Sequence, residues 1–294
     1  MWNTFDVARL YDNVLHFEIM KNSVNEEDMR RGIQIVRRAY RPQKEQRTRT
    51  ESYTEDNSIA YRCAYLHMYT PVHTAMVYYV MNWALVQEKE YFQSFLHTRR
   101  RSLKICNLGG GPGADLIGVI TAFQKEFGYF HTSATIIDIV SEWKDIFGSI
   151  INELRYGFYG YFELNPQYFE WSFLTANLMD RITGDVNNAI NSADFITMIK
   201  FVSAVVHQNA TGMIKNIFKK MKPGALVLFI DNDAGGSREV VLKVANECQF
   251  KPVFGPFAHH LYINEELLVQ RFGYWNCHKT AVTVVILEKP ISTE

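Results

Sequence analysis

Cysteine is scarce in this chain. Cys63, Cys106, Cys248 and Cys277 lie far apart among 294 residues, and no C-x-x-C pair occurs. That excludes a dense disulfide framework and a thiolate zinc site, and fits reduced thiols in an intracellular protein of the cytoplasm or nucleus. An excess of one charge is also lacking. The 31 basic and 31 acidic side chains cancel, so no global field draws in nucleic acid. Long apolar runs are missing too. The longest, Val72 to Val86, contains His73, Thr74, Asn82 and Trp83. It is too short and too polar to span a bilayer, and reads as a buried helix. The first residues include Asp6 and Arg9 and have no signal-peptide layout. No G-x-x-x-x-G-K-[ST] loop is present, which argues against Walker-type ATP use. No repeat recurs at solenoid periods. What the chain does have is 47% hydrophobic residues, enough for one large core or a domain with an appendage.

The most informative run extends from Leu103 to Gly118. An apolar stretch ends at Asn107, glycines follow at Gly109, Gly110, Gly111 and Gly113, and a helical pattern begins at Ala114. This is a strand, a tight turn and a helix N-terminus in succession. Glycines let the backbone come close to a ligand, and the free N–H groups of a helix start offer donors to it. A nucleotide-like cofactor is the natural occupant. The dinucleotide spacing G-x-G-x-x-G started at Gly109 meets Ala114 at its third glycine. The looser form of that fingerprint allows alanine, so spacing alone leaves a dinucleotide open. The next strand, Ala134 to Asp138, ends in a carboxylate. Such a residue accepts ribose hydroxyls in several cofactor folds; it also suits a helix N-cap, and both roles can coexist.

Residues 1–98 lack glycine-punctuated strands and show helical runs at 4–22, 26–40, 57–69 and 72–96. The polar stretch 41–56 between them reads as a loop. From residue 103 strands alternate with helices. Strands are expected at 103–107, 134–138, 170–174, 194–199, 225–231, 252–255 and 281–288. Helices are expected at 113–127, 141–155, 183–191, 208–221, 236–248 and 264–271. Alternation of this kind gives an α/β fold with a parallel, doubly wound sheet. Ligands bind such sheets at the carboxyl ends of the strands.

With these features, residues 100–290 resemble class I S-adenosylmethionine (SAM)-dependent methyltransferases. Gly109, Gly111 and Gly113 fall on the family's [D/E]-x-G-x-G-x-G motif, with Asn107 at the acidic position. Asp138 falls on the ribose-binding acid. Asn177, within Thr175 to Asp180, falls on the adenine-contacting position, and Lys222-Pro223-Gly224 resembles the turn into the fifth strand. The resemblance implies a Rossmann-like, seven-stranded doubly wound sheet whose last strand runs antiparallel beside the fifth. It implies a helical N-terminal cap over 1–98, a methyltransferase domain over 99–294, and SAM as cofactor. The cofactor-binding residues it implies are Asn107, Gly109, Gly110, Gly111, Pro112, Gly113, Asp138, Ile139, Asn177, Leu178, Lys200 and Phe201. Lys200 to Ser203 stand where amino-group methylases carry [D/N]-P-P-[Y/F], which disfavours adenine-N6 chemistry. The glycine run followed by an acid, with Trp143 after the second strand, is similar to eukaryotic relatives of fungal large-subunit ribosomal RNA uridine-N3 enzymes.

The remaining signals have two readings each. Eight basic residues lie between 30 and 49, among them Arg30, Arg31, Arg37, Arg38 and Arg41, with Tyr40 and Tyr53 near them. They read as a solvated face or as an RNA-docking surface. The aromatic segment Tyr61 to His73 reads as cap packing, with a minority lining a pocket. Trp143 reads as an adenine cover or a buried helix residue. His259, His260, Cys277 and His278 lack further ligands for a metal site. No catalytic residue is assigned, because methyl transfer from a sulfonium depends on positioning. Three functions remain: an RNA methyltransferase, a small-molecule N- or O-methyltransferase, and a silent methyltransferase-like binding subunit kept open by Asn107.

Overall fold

A computed structural model describes residues 4–39, 58–160, 164–165, 167–205, 209–262, 270–275 and 279–291. Five helices come first: α1 (Thr4–Lys21), α2 (Glu26–Ala39), α3 (Ile59–Met68), α4 (Thr70–Gln87) and α5 (Lys89–Thr98). Strands and helices then alternate: β1 (Ser102–Leu108), α6 (Ala114–Phe127), β2 (His131–Asp138), α7 (Trp143–Tyr156), β3 (Phe169–Thr175), α8 (Gly184–Ser192) and β4 (Phe195–Ile199). The short α9 (Val202–Val205) comes next, with α10 (Ala210–Lys220), β5 (Leu226–Asn232), α11 (Ser237–Glu247) and β6 (Lys251–Tyr262). A small hairpin, β7 (Gln270–Arg271) and β8 (Tyr274–Trp275), precedes β9 (Lys279–Glu288).

The main sheet has seven strands in the order β3-β2-β1-β4-β5-β9-β6. The first five run parallel, and β9 lies antiparallel beside β5, Leu226 opposite Glu288 and Asn232 opposite Val282. This is the sheet that the methyltransferase resemblance implies. Alternation along each strand divides the core into two layers. In β5, Leu226, Leu228 and Ile230 join the layer that also holds α1 to α7. Val227 and Phe229 face the other layer, with α8, α10 and α11. Apolar residues on both faces of a central strand are what coverage on both sides requires.

Local chemistry explains the helical layer. In α2, Met29, Ile33 and Val36 recur at helical spacing and are buried, while the opposite face is charged. In α4 most residues are buried, as a helix apolar all round should be. No helix among the described residues is long and apolar enough to cross a membrane.

Three expectations change. The single helix expected over 72–96 is two, meeting at Glu88 with ψ 39°. The polar Gln87-Glu88-Lys89-Glu90 stretch offers no apolar stripe to bury, and the break turns Phe92 edge-on against Phe123 of α6, ring centroids 5.9 Å apart. The strand expected at 252–255 runs on to Tyr262, because register shifts on either side of Phe254 absorb the Gly255-Pro256 pair. Of the helix expected at 264–271, residues 264–269 lie outside the described residues, and Gln270 and Arg271 are strand. Their short hairpin pairs with itself instead of continuing a helical stripe.

Candidate functional site

The site is built at the carboxyl ends of β1, β2 and β4. Beyond β1, the Gly109 N–H donates to the Ile137 carbonyl at 2.8 Å, which ties the turn to β2. The Gly113 N–H closes the turn on Gly110 O at 2.8 Å, and Gly113 precedes α6 with φ 75°. A Cβ on Gly113 would overlap the Phe147 ring, and one on Gly109 would overlap Phe201. Gly111, at φ 48°, differs: an added Cβ there finds only the Trp143 ring, 4.0 Å away. Gly109 and Gly113 are therefore glycine for packing. Gly111 turns its open side outward, the geometry that lets a ligand approach the backbone.

Asp138 closes β2 and is 9% exposed. Its Oδ2 accepts the Gly111 N–H at 2.8 Å and its Oδ1 accepts the Val140 N–H at 2.9 Å. Burial raises its pKa, and these N–H groups pull it partly back. Glu142 occupies the N-cap position of α7 without a side-chain cap hydrogen bond; Asp138 lies four residues earlier and straps the β2 end to the turn after β1. A carboxylate has about four acceptor positions; the Gly111, Val140 and Ile139 N–H groups act on this one, and what capacity is left suits a ligand hydroxyl.

Asn107 has no exposed surface, and neither of its amide atoms has a hydrogen-bond partner. It lies beneath Gly110, whose added Cβ would meet the amide at 2.6 Å. Pro112 is buried within the turn, and Ile139 is exposed just past Asp138. Asn177 is exposed and its Oδ1 accepts the Met179 N–H at 3.0 Å, while Leu178 is buried in the second core layer. Their loop is tied to β2 by the Ala176 N–H, 2.9 Å from Asp138 O. At the end of β4 two neighbours diverge. Phe201 packs under the glycine turn, whereas the Lys200 ammonium reaches Asn232 Oδ1 at 2.5 Å and Thr280 Oγ1 at 2.9 Å.

Sequence reading missed several participants. Asp115, in the first turn of α6, is 4% exposed, and its pKa is raised well above the usual range by burial and by Asp138. The Tyr11 hydroxyl of α1 lies 2.6 Å from Thr74 Oγ1 of α4, which in turn donates to Ala114 O at 3.0 Å. This chain fastens the helical layer to the residue where α6 begins. Trp143, which the sequence offered as an adenine cover or a buried helix residue, is buried, and its ring lies 5.4 Å from that of Tyr65 in α3. The signal for Asp115 was its place in the first turn after a glycine run; nothing local marked Tyr11 or Thr74.

The arginine segment is divided. Arg30 pairs with Glu26 at 2.7 Å and Arg31 with Glu27 at 3.8 Å, each one helical turn away. Arg37 lies 5.2 Å above the Tyr274 ring, and Arg38 is exposed. Arg41, Tyr40 and Tyr53 lie outside the described residues. Among the described residues no group of three or more His, Cys, Asp or Glu side chains is placed to hold a metal. His259 stacks on Tyr79 with ring centroids 5.9 Å apart, and Cys277 and His278 lie outside the described residues. Cys63 and Cys106 are free thiols pushed up to about 12 by burial. A cavity of about 330 Å³ lined by Lys89, His97, Arg101 and Phe127 opens at the amino end of β1, away from the glycine turn.

No family model matches the sequence, and no curated protein matches it. Solved structures do. Magnesium protoporphyrin IX methyltransferase from Synechocystis, determined with bound SAM, is 14% identical over 88% of this chain and 91% of its own, TM-score 0.46. An O-methyltransferase family protein from Burkholderia thailandensis is 15% identical over 80% of this chain and 60% of its own, TM-score 0.45. A proposed RNA methyltransferase from Pyrococcus horikoshii is 14% identical over 68% and 81%, TM-score 0.42. At such identities and superpositions the likeness assigns no activity to this chain.

Proposed function

We propose that this chain is a SAM-dependent methyltransferase, with residues 1–98 as a cap over a 99–294 catalytic domain. The observation that carries the reading is the Asp138 strap. It ties the glycine turn after β1 to the buried carboxylate that ends β2, at the carboxyl edge of the parallel strands, where such folds bind cofactors. The residues fit that cofactor. Asp138 offers its carboxylate to the ribose hydroxyls, Gly111 leaves its open side for the ligand, and the exposed Ile139 and Asn177 just past β2 and β3 are assigned to the adenine side, whereas Leu178 is buried in the core and is not assigned. When bound, SAM supplies a methyl on a sulfonium, already a good leaving group. The chain's own task is to orient the acceptor in line and exclude water.

An RNA acceptor is the first reading of the substrate. It rests on Arg37 and Arg38 on the outer face of α2, on Arg41 beyond it, and on the resemblance to uridine-N3 enzymes. A small-molecule N or O acceptor is the second, favoured by Arg30 and Arg31 carrying their own glutamates. The silent-subunit reading is the third, kept open by the uncharged Asn107, which is buried beneath the glycine turn. Calorimetric titration with SAM and with NAD tests the proposal. SAM heat without NAD heat is expected, and tight NAD binding alone would overturn it.

A further inference from the structure

The cap presents one group of side chains that the cofactor reading leaves unused. Tyr65 in α3, Tyr69 between the helices and His73 in α4 are spaced four residues apart and lie on one face. Their rings converge: Tyr65 to Tyr69 at 5.6 Å, Tyr69 to His73 at 5.8 Å and Tyr65 to His73 at 6.1 Å. The cluster borders both parts of the site. Tyr65 lies against Trp143, which borders the open side of Gly111, and the Lys200 charge at the β4 end acts on His73.

Two features separate this cluster from ordinary core. The two tyrosines are half-buried while their neighbours Leu66 and Met68 are buried. His73 is 8% exposed, yet only its Nδ1 is engaged, 3.4 Å from the Tyr65 hydroxyl. Its Nε2 has no hydrogen bond among the described residues. The other buried histidine of the cap, His67, shows the contrasting case: its Nε2 meets the Tyr274 carbonyl at 3.2 Å. An open ring nitrogen on a largely buried histidine is a place for a ligand's polar edge. Burial, with the Lys200 charge, also lowers the His73 pKa to about 3. Its imidazole is thus neutral at physiological pH and able to donate or accept a hydrogen bond.

We propose that Tyr65, Tyr69 and His73 form the acceptor pocket, and that it takes a planar aromatic ring, neutral or anionic, whose polar edge meets His73 Nε2. This rests on the SAM reading above. Stacking on the tyrosines fits a flat ring. Positive charge from Lys200 beside His73 disfavours a cationic acceptor. In the transfer the sulfur–methyl bond breaks as the methyl–N or methyl–O bond forms, and the proton of the acceptor leaves to water. His73 is a positioning residue. Its own protonation beside Lys200 is disfavoured, so it is not the base.

The test uses the whole chain saturated with S-adenosylhomocysteine. Its titration comes first: no heat from that ligand or from SAM would sink the cofactor reading itself, a result distinct from failure of the acceptor pocket. Loaded protein is then titrated with uridine monophosphate, with p-coumarate and with cyclohexanecarboxylate. At least one planar probe should bind, and the saturated ring should not. Uridine monophosphate alone would point to a nucleobase, and p-coumarate alone to a free aromatic acid. Tyr65→Leu should weaken the binding probe by roughly tenfold, the scale of one lost stacking contact, and Tyr65→Phe should largely restore it. His73→Phe should weaken it while S-adenosylhomocysteine affinity and the melting temperature hold. No planar binding, equal binding of cyclohexanecarboxylate, or equal loss of cofactor affinity in Tyr65→Leu would each overturn the proposal.

Discussion

Replacing Asp138 with alanine should damage the fold and the ligand site together. Its two oxygens hold the Gly111 and Val140 N–H groups at 2.8 and 2.9 Å. A buried donor left without a partner costs about 1–3 kcal/mol, so two cost about 2–6 kcal/mol at most. Part returns, because burial already disfavours ionised Asp138. A net loss of about 2–3 kcal/mol is expected. In a chain of this size each kcal/mol moves the melting temperature by about 2–4 °C, so the midpoint should fall by about 4–12 °C. Asp138→Asn keeps one acceptor oxygen and should lose roughly half as much. SAM affinity should fall by a further ~1.5–3 kcal/mol for the lost charged acceptor. Scanning calorimetry with and without SAM, beside a binding titration, separates the two losses. An unchanged midpoint with lost SAM binding would show that Asp138 serves the ligand alone. An unchanged midpoint with intact binding would refute the strap altogether.

Other substitutions probe different parts of the same site. Gly111→Ala should cost only about 1–2 kcal/mol of stability for its left-handed backbone, yet weaken SAM strongly, whereas Gly113→Ala should destabilise more, since its Cβ overlaps Phe147; equal melting temperatures for the two would contradict this. Asp115 holds its proton more tightly folded than unfolded, so it lowers stability as pH rises above the ordinary carboxylate range. Asp115→Asn should therefore lessen the fall in melting temperature between about pH 5 and 8, with Asp138 and Asp231 keeping some slope; identical slopes would refute the assignment. Replacing Arg37, Arg38 and Arg41 with Gln should flatten the salt dependence of RNA binding and leave SAM affinity alone. RNA affinity indifferent to both salt and substitution would favour the small-molecule reading.

The sheet was legible because its strands are apolar on both faces and end in glycine or polar residues, as in Leu103 to Gly113 and Thr135 to Asp138. The break at Glu88 was less so, because the apolar residues on either side, Leu85 and Phe92, suit one long helix as well as two. The length of β6 was hidden by Gly255-Pro256, which ends a strand in a local reading and is absorbed here by shifts of register. Asp138 was visible as a strand-end acid, but its bond to Gly111 spans 27 residues. The Tyr11–Thr74 contact spans 63, and no local pattern encodes it. The segment Tyr61 to His73 reads as cap packing with a minority lining a pocket; the spacing of four that brings the Tyr65, Tyr69 and His73 rings together is visible in it, but which residues form the minority is not.

The Tyr11, Thr74 and Ala114 chain bears on how such a fold can diverge. The carbonyl it holds belongs to the residue just past the glycine turn, so the helical layer is stitched to the framework of that turn and is not a detachable cover. A lineage exchanging this cap for another would inherit a loose end at the start of α6 unless the new helices brought a hydroxyl to the same carbonyl. On the methyltransferase reading proposed above, change of substrate is then easier by altering rings within the existing helical layer than by grafting a new one.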